Sequence, residues 1–558
     1  PRALARLGDG EPEGLRPPLA VALATGEPGD PAEDPDRILD SPAITELLTS
    51  GGPGHAQRLV VAVSPSLYEE LREVLGPLAL RSLRRLGVEP GGWFLAGGPA
   101  RVAELLTDAE AYRLEDSAWP RCGHGVSDES PAGCIGIRVV GRRSCLAHLP
   151  RSEQDACLRT LEPASSVDFR GTTFEGGLLG RVLDALRDPG TGSVVLDSAA
   201  FARACFKDDW AAADAVFNGE TDFTRAVFEG RTDFAEAIFG KDVSFDGAVF
   251  KDVAGFDNAT FAGAASFGRA VFEKAAAFEG ATFEEPAFFE RAVFVGAARF
   301  ARVAWDEAVS FARAVMEEEA VLDEMSVRAR ADFDRVVFKG RTSLSESVFR
   351  GPVSFTRVVC HGALSAAGTR FELGSDFESL VCEGEAVFRV ARFDGPASFA
   401  GTLFHGLAAF DTTWFGERAG FDGALFRGPV LIKSSVYALP VAFDSAVFEG
   451  MFRWVDSKTE TARSSFAGAV FRGSAHFLRG EFKGDTGFEG AVFDGSVTFE
   501  DCDFRAALSL AGVLFHGQAT FTDVTLAQPL QLPADWSAIE ADGVWEITSP
   551  ERPESGDA

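Results

Sequence analysis

Four cysteines and two histidines crowd one short stretch of this 558-residue chain, and they are the residue types best suited to chemistry. They read Cys122-Gly-His124, Cys134, Cys145-Leu-Ala-His148 and Cys157. Thiolate and imidazole are the donors that hold zinc, and there are enough of them for a four-coordinate site. The spacing points the other way. Steps of twelve, eleven and twelve residues separate the cysteines, without the close pairs that structural zinc sites generally show. The expectation is a small strand-plus-helix module with buried cysteines. No metal ligand is assigned, and the spacing leaves open whether Cys122, Cys134, Cys145 and Cys157 bind metal.

A second candidate is the turn Gly97-Gly98-Pro99, between a strand at Trp93–Ala96 and a helix at Ala100–Leu106. Free backbone N–H groups at such a helix start could hold a phosphate. It is neither a Walker motif nor a Gly-x-Gly-x-x-Gly fingerprint, so a structural turn is the expectation. The chain has no Gly-x-Ser-x-Gly and no His-Glu-x-x-His. Of its seven histidines, His361, His405, His476 and His516 fall at scattered outward positions. No catalytic residue, cofactor-binding residue or cofactor is assigned, and an enzyme is not expected.

The elements that must carry these residues are set by a repeat running from about 201 to 526. A clean sample is Phe223-Thr-Arg-Ala226-Val-Phe228-Glu-Gly230-Arg-Thr-Asp-Phe234, which returns as Phe245-Asp-Gly-Ala248-Val-Phe250 and as Phe488-Glu-Gly-Ala491-Val-Phe493. The aromatic steps alternate five and six, giving a period of eleven. Ala226 and Phe228 share a face of an extended chain, whereas Phe223 and Phe228 would point opposite ways on a straight strand. Both rings reach the interior only if the chain turns a corner between them. Gly230, Gly263, Gly296, Gly340, Gly395 and Gly450 recur two residues after a Phe and suit a corner with unusual φ/ψ. An eleven-residue period also fits a helix. Frequent Gly, and the strand preference of Phe, Val and Thr, argue against that.

The pattern resembles the pentapeptide-repeat family, in the Phe-rich variant with an added residue in every second repeat. The resemblance covers somewhat over half the chain, and its phase holds from Phe217 to Trp454. It implies a right-handed β-helix of square cross-section, with Phe or Leu at the centre. Four faces make about 22 residues per coil, and about 14 coils stacked at roughly 4.8 Å give a rod near 70 Å long. The Phe column explains 50 Phe against 3 Tyr and 8 Trp, because a dry stack offers a hydroxyl no partner. Cys360 and Cys382 take core positions, and the Tyr437 hydroxyl is expected at a corner or coil edge. The fold class is therefore mainly β: a quadrilateral β-helix preceded by a small α/β domain and a helical N-terminal cap. Residues 134–206 also resemble the leader of actinobacterial members of the family.

In order, residues 1–38 read as a disordered acidic Pro/Gly-rich arm. Residues 39–116 read as a small α/β domain with a strand at Arg58–Val63 and a helix from Ser64 that resumes through Leu83 and Leu86. Residues 117–194 are a Cys-containing leader and capping helix, with Leu178, Leu179, Val182 and Leu186 on one face. Residues 195–528 are the β-helix, and 529–558 a C-terminal cap and tail. Trp454 to Phe466 spans twelve residues where eleven are needed, so Val455–Arg463 reads as a bulging loop. Met316–Arg330 lacks Phe but keeps phase.

The net charge of −31 and pI near 4.7 oppose direct nucleic-acid binding. No apolar run approaches a membrane span. A cytoplasmic location is the expectation, with room for a removed signal peptide before Pro1. The leading functional expectation is a non-enzymatic scaffold or adaptor that presents the acidic β-helix to a protein partner. The resemblance implies an alternative, a DNA mimic that occupies the DNA site of a type II topoisomerase. A third is a nucleotide-binding or enzymatic α/β head. The partner's identity and the oligomeric state are left open.

Overall fold

The computed structural model describes residues 2–7, 19–24, 59–63, 84–85, 93–97, 119–126, 133–460, 463–527, 537–541 and 544–548. The chain divides into two compact units, Pro1–Trp119 and Pro120–Ala558.

In the first unit, β1 (Arg2–Leu7), β2 (Leu19–Ala24), β3 (Leu59–Val63), β4 (Arg84–Arg85) and β5 (Trp93–Gly97) form one sheet in the order β1-β2-β3-β5-β4. β2 and β3 pair in parallel, and the other neighbours antiparallel. The strands expected near 58–63 and 93–96 are present. The arm expected over 1–38 instead supplies two strands, because Leu19–Ala24 is apolar enough to lie beside Leu59–Val63. Arg84–Arg85 pairs as strand where a helix was expected to resume. The remainder of that helix, the helix Ala100–Leu106 and Gly98-Pro99 lie outside the described residues.

The second unit is a solenoid of parallel two-residue strands. One coil runs Thr221–Asp222, Val227–Phe228, Thr232–Asp233 and Ile238–Phe239. Among strands paired within 205–459, each meets its counterpart 22 residues on, as in Val227↔Val249 and Val249↔Val271. One face is a sheet of 15 strands and another a sheet of 16, so at roughly 4.8 Å per coil the stack is about 70 Å long. The pattern of one residue half out and one in lets so short a strand hold: Val227 is half-buried and Phe228 is buried.

The rings stack along the axis. Phe228–Phe250 and Phe250–Phe272 are parallel at 4.7 and 4.8 Å. Neighbouring columns meet edge to face, as Phe256 and Phe267 do at 5.6 Å and 88°. Both geometries suit the ring quadrupole. Ala226, Ala248 and Ala270 are fully buried beside them, where a larger side chain would not fit. Met316, Leu322 and Val327 fill the same positions in the stretch without Phe.

The corners differ from the sequence expectation. Gly263, Gly296, Gly340, Gly395 and Gly450 do not have positive φ; a Cβ on Gly340 would lie 2.3 Å from the Glu318 carbonyl oxygen of the preceding coil. These glycines serve close approach between coils. The left-handed backbone sits at the alternate corners, at every eleventh residue from Arg203 through Arg225, Gly247 and Arg269 to Asp456, and again from Gly468 to Asp523. Ala226 N–H bonds back to the Phe223 carbonyl at 2.9 Å, closing a type II turn with Arg225 at its third position. Arg225 N–H donates to Asp246 O at 2.7 Å in the next coil, which helps offset a left-handed non-Gly cost of about 1–2 kcal/mol.

The stretch expected to bulge is mostly regular. Lys458–Thr459 is a strand, and Thr459 is buried between Tyr437 and Phe482 in the register. Trp454 tilts in from the adjacent face and stacks on Tyr437 at 5.2 Å and on Phe482 at 5.5 Å, supplying the missing ring. The register steps from 22 at Tyr437↔Thr459 to 23 at Val441↔Ser464, so the extra residue lies between Thr459 and Ser464. The Tyr437 hydroxyl does not reach an edge: the residue is fully buried and the oxygen has no protein partner.

The solenoid also begins earlier than 195. Ser165–Asp168 pairs with Val195–Ala200, and Thr173–Phe174 with Cys205–Phe206. Between them, helix α2 (Leu178–Ala185; α1 is Arg151–Leu158) buries Leu178, Leu179, Val182 and Leu183 in the same core as Phe174 and Trp210. That covers rings an open coil would expose. At the other end, Ser537–Ala541 and Val544–Thr548 form a hairpin whose second strand lies against Ala519–Thr522.

Two substitutions test this packing. Val390 is β-branched, exposed and left-handed (φ 59°), so Val390→Gly should raise the denaturation midpoint by about 1 kcal/mol of stability; a fall would contradict the strain. Tyr437→Phe removes a buried, unpartnered hydroxyl and should stabilise by about 1–2 kcal/mol in guanidinium unfolding, whereas a loss of that size would mean the hydroxyl is bonded.

Candidate metal centre

The leader places its cysteines by a short antiparallel crossing. Arg121 bridges Ile137, Cys122 N–H donates to Gly136 O at 2.7 Å, and Gly123 N–H to Cys134 O at 2.8 Å. Cys134 N–H returns to His124 O at 2.8 Å. The chain then turns back at Val139–Arg142 and enters the single 3-10 turn Leu146–His148, with Cys145 at its N-cap. That turn puts Cys145 and His148 on one side.

The result brings together Cys122, Cys134, Cys145 and His148, whose ligand atoms all lie within 4.8 Å of one another. Cys134 Sγ is 3.7 Å from Cys145 Sγ; His148 Nδ1 is 3.3 Å from Cys145 Sγ and 3.7 Å from Cys122 Sγ. Cys145 is buried and the other three are half-buried. A Cβ on Gly136 would meet Cys145 Cβ at 2.9 Å and Cys145 Sγ at 3.0 Å, so only glycine fits there. Gly136 N–H points at Cys134 Sγ from 3.4 Å. Cys157 and His124 are not in the group: Cys157 lies on α1, and His124 stacks on the His148 ring at 4.2 Å.

The crowding shows in the acidities. Burial, then the charge of Cys134, pushes the Cys145 thiol up to about 12. Burial raises Cys134 as well. At Cys122 burial also acts upward, but backbone hydrogen bonds at Cys145 and His124 outweigh it and leave the thiol below its ordinary value. Burial, and then the charge of His124, lowers His148. Cys145 and His148 are near enough for a nucleophile–base pair, yet a buried thiol held mostly protonated is a poor nucleophile. A cation among the sulfurs would turn the mutual repulsion of thiolates into attraction.

Sequence spacing does not show this convergence, for a definable reason. Close cysteine pairs come from one tight turn, whereas these donors come from three chain segments that cross. The usable signals were Gly136 two residues after Cys134, and His148 three after Cys145. His361, His405, His476 and His516 lie at outward positions of the solenoid, where His361 pairs with Glu383 and His516 with Asp494, each at 2.8 Å.

Beside the centre is a cleft of about 720 Å³ lined in part by His124, His148, Arg151, Arg181 and Lys207. Two of these cations are engaged: Arg181 with Asp155, and Lys207 with Glu175 at 2.8 Å. A second hollow, about 700 Å³, runs along one solenoid face over Ser354, Asp376, Ser398 and Gly420, between Arg330 and Arg418. Among the described residues no helix is long and apolar enough to cross a membrane.

Segments 212–260, 245–293, 256–304 and 481–525 match the family described as pentapeptide repeats (9 copies). No curated protein and no solved structure matches the chain. The matched segments lie in the ladder of parallel strands described above, at both its early and late coils, and the chain belongs to the pentapeptide-repeat proteins.

Proposed function

We propose that the chain is a protein-interaction scaffold whose solenoid surface is the part that meets a partner. One observation carries this reading: the interior is filled with rings, so every outward position is held at a fixed spacing by its own coil. The shallow face over Ser354, Asp376, Ser398 and Gly420 is the best docking surface. Its side chains are small across consecutive coils, and Arg330 and Arg418 stand beside it. A flat partner surface could approach the backbone closely there.

The acidic balance favours a second reading. Residues 201–558 hold about 55 acidic and about 33 basic side chains, enough to attract a protein that normally holds DNA. Its support is weakened by cross-coil pairs such as Lys251–Glu229, Lys339–Glu317 and Arg479–Asp456, which interleave positive charge with negative.

A photo-crosslinking residue at Ser398 of the full chain should give a discrete protein adduct in cell extract, and Ser354→Arg should reduce it about tenfold. An adduct unaffected by Ser354→Arg would remove this face from the reading; no adduct, together with turnover of a substrate, would remove the scaffold. For the second reading, the full chain should inhibit supercoiling by a type II topoisomerase, more strongly at low salt. Unchanged supercoiling would end it.

A further inference from the structure

We infer that Cys122, Cys134, Cys145 and His148 bind one zinc ion, and that this ion fastens the leader to the first coil of the solenoid. Three of the six donor–donor edges match those of a zinc tetrahedron, and all six lie within 4.8 Å. Zinc about 2.3 Å from each sulfur and about 2.0 Å from the nitrogen sets edges of about 3.8 Å between sulfurs and about 3.5 Å between sulfur and nitrogen. The Cys134–Cys145 edge is 3.7 Å, and the two resolved edges to His148 Nδ1 are 3.3 and 3.7 Å. Three thiolates and an imidazole are too soft for magnesium or calcium and suit zinc. All four corners come from the protein, which marks a structural site; a catalytic zinc keeps a corner for water or substrate.

The surroundings are shaped for this role. Gly136 leaves room for the sulfurs and its N–H supports Cys134. The segment that carries the four donors, 121–148, has little core of its own: among its described residues Leu146 is the buried aliphatic. It is instead pinned to the coil: Ile137 N–H donates to Arg170 O at 2.8 Å, and a Cβ on Gly171 would sit 2.6 Å from the Ile135 carbonyl oxygen. Gly171 lies between the strands Ser165–Asp168 and Thr173–Phe174, which open the solenoid. A metal that orders the crossing therefore also orders the end of the β-ladder, where an unpaired edge would otherwise stand.

The test is elemental analysis of the full chain purified without added metal or chelator, with cobalt substitution as a second measurement. The expected result is one zinc per chain, and a cobalt form with the strong visible bands of a tetrahedral thiolate site. Cys134→Ser and Cys145→Ser should each lower bound zinc at least about tenfold, while Cys157→Ser should keep full occupancy. His148→Cys should retain metal where His148→Ala loses affinity. Should the serine variants fail to fold, the wild-type metal content, the cobalt spectrum and Cys157→Ser still decide. Absence of metal, stoichiometric iron, a Cys134–Cys145 disulfide seen by mass spectrometry, or equal loss in Cys157→Ser would each overturn the assignment.

Discussion

The structure depends on one constraint: aromatic rings must lie in register along an axis, one coil above the next. Parallel strands of two residues have almost no stability of their own. They persist because each backbone ladder is locked to a column of rings about 4.7–5 Å apart, close to the natural spacing of strands. Ring stacking and hydrogen bonding thus demand the same rise. Where a ring is absent, something must replace it, and Trp454 leans over Thr459 for that reason.

The same constraint orders the outside. Since every coil repeats the backbone of the last, side chains 22 residues apart stand one above another. Opposite charges at that interval pair, as Lys251 does with Glu229, and each exposed pair adds little alone. Their joint effect is on the character of the surface: an acidic chain carries a striped field, not a uniform one.

Most of the solenoid was legible in the sequence because the dominant force, burial of Phe, writes itself as a period. What escaped was set by contacts between coils. Gly340 and Gly263 look like turn residues in sequence, but their reason is a backbone one coil away. The residues that do adopt left-handed backbone are often Arg, whose side chain gives no hint of it. Tyr437 was expected near an edge because a hydroxyl seeks a partner; packing against Phe415 and Trp454 holds it inside. The cysteine–histidine cluster was half legible. Its residue types were plain, but their convergence needed the crossing of 121–124 with 134–137, which short-range spacing does not encode. The N-terminal strands were masked by a Pro- and Gly-rich composition that outweighed six apolar residues at Leu19–Ala24.

The extra residue between Thr459 and Ser464 shows how this architecture copes with copying errors. Register is one residue out across that corner and regular again in the next strands, Val470↔Val492 and Ala475↔Val497. A single-codon insertion is thus absorbed locally, without reversing which side chains face inward downstream. Duplication of 22 codons would add a whole storey. Genes of this kind can therefore vary the reach of their products in discrete increments, leaving the leader end unaltered.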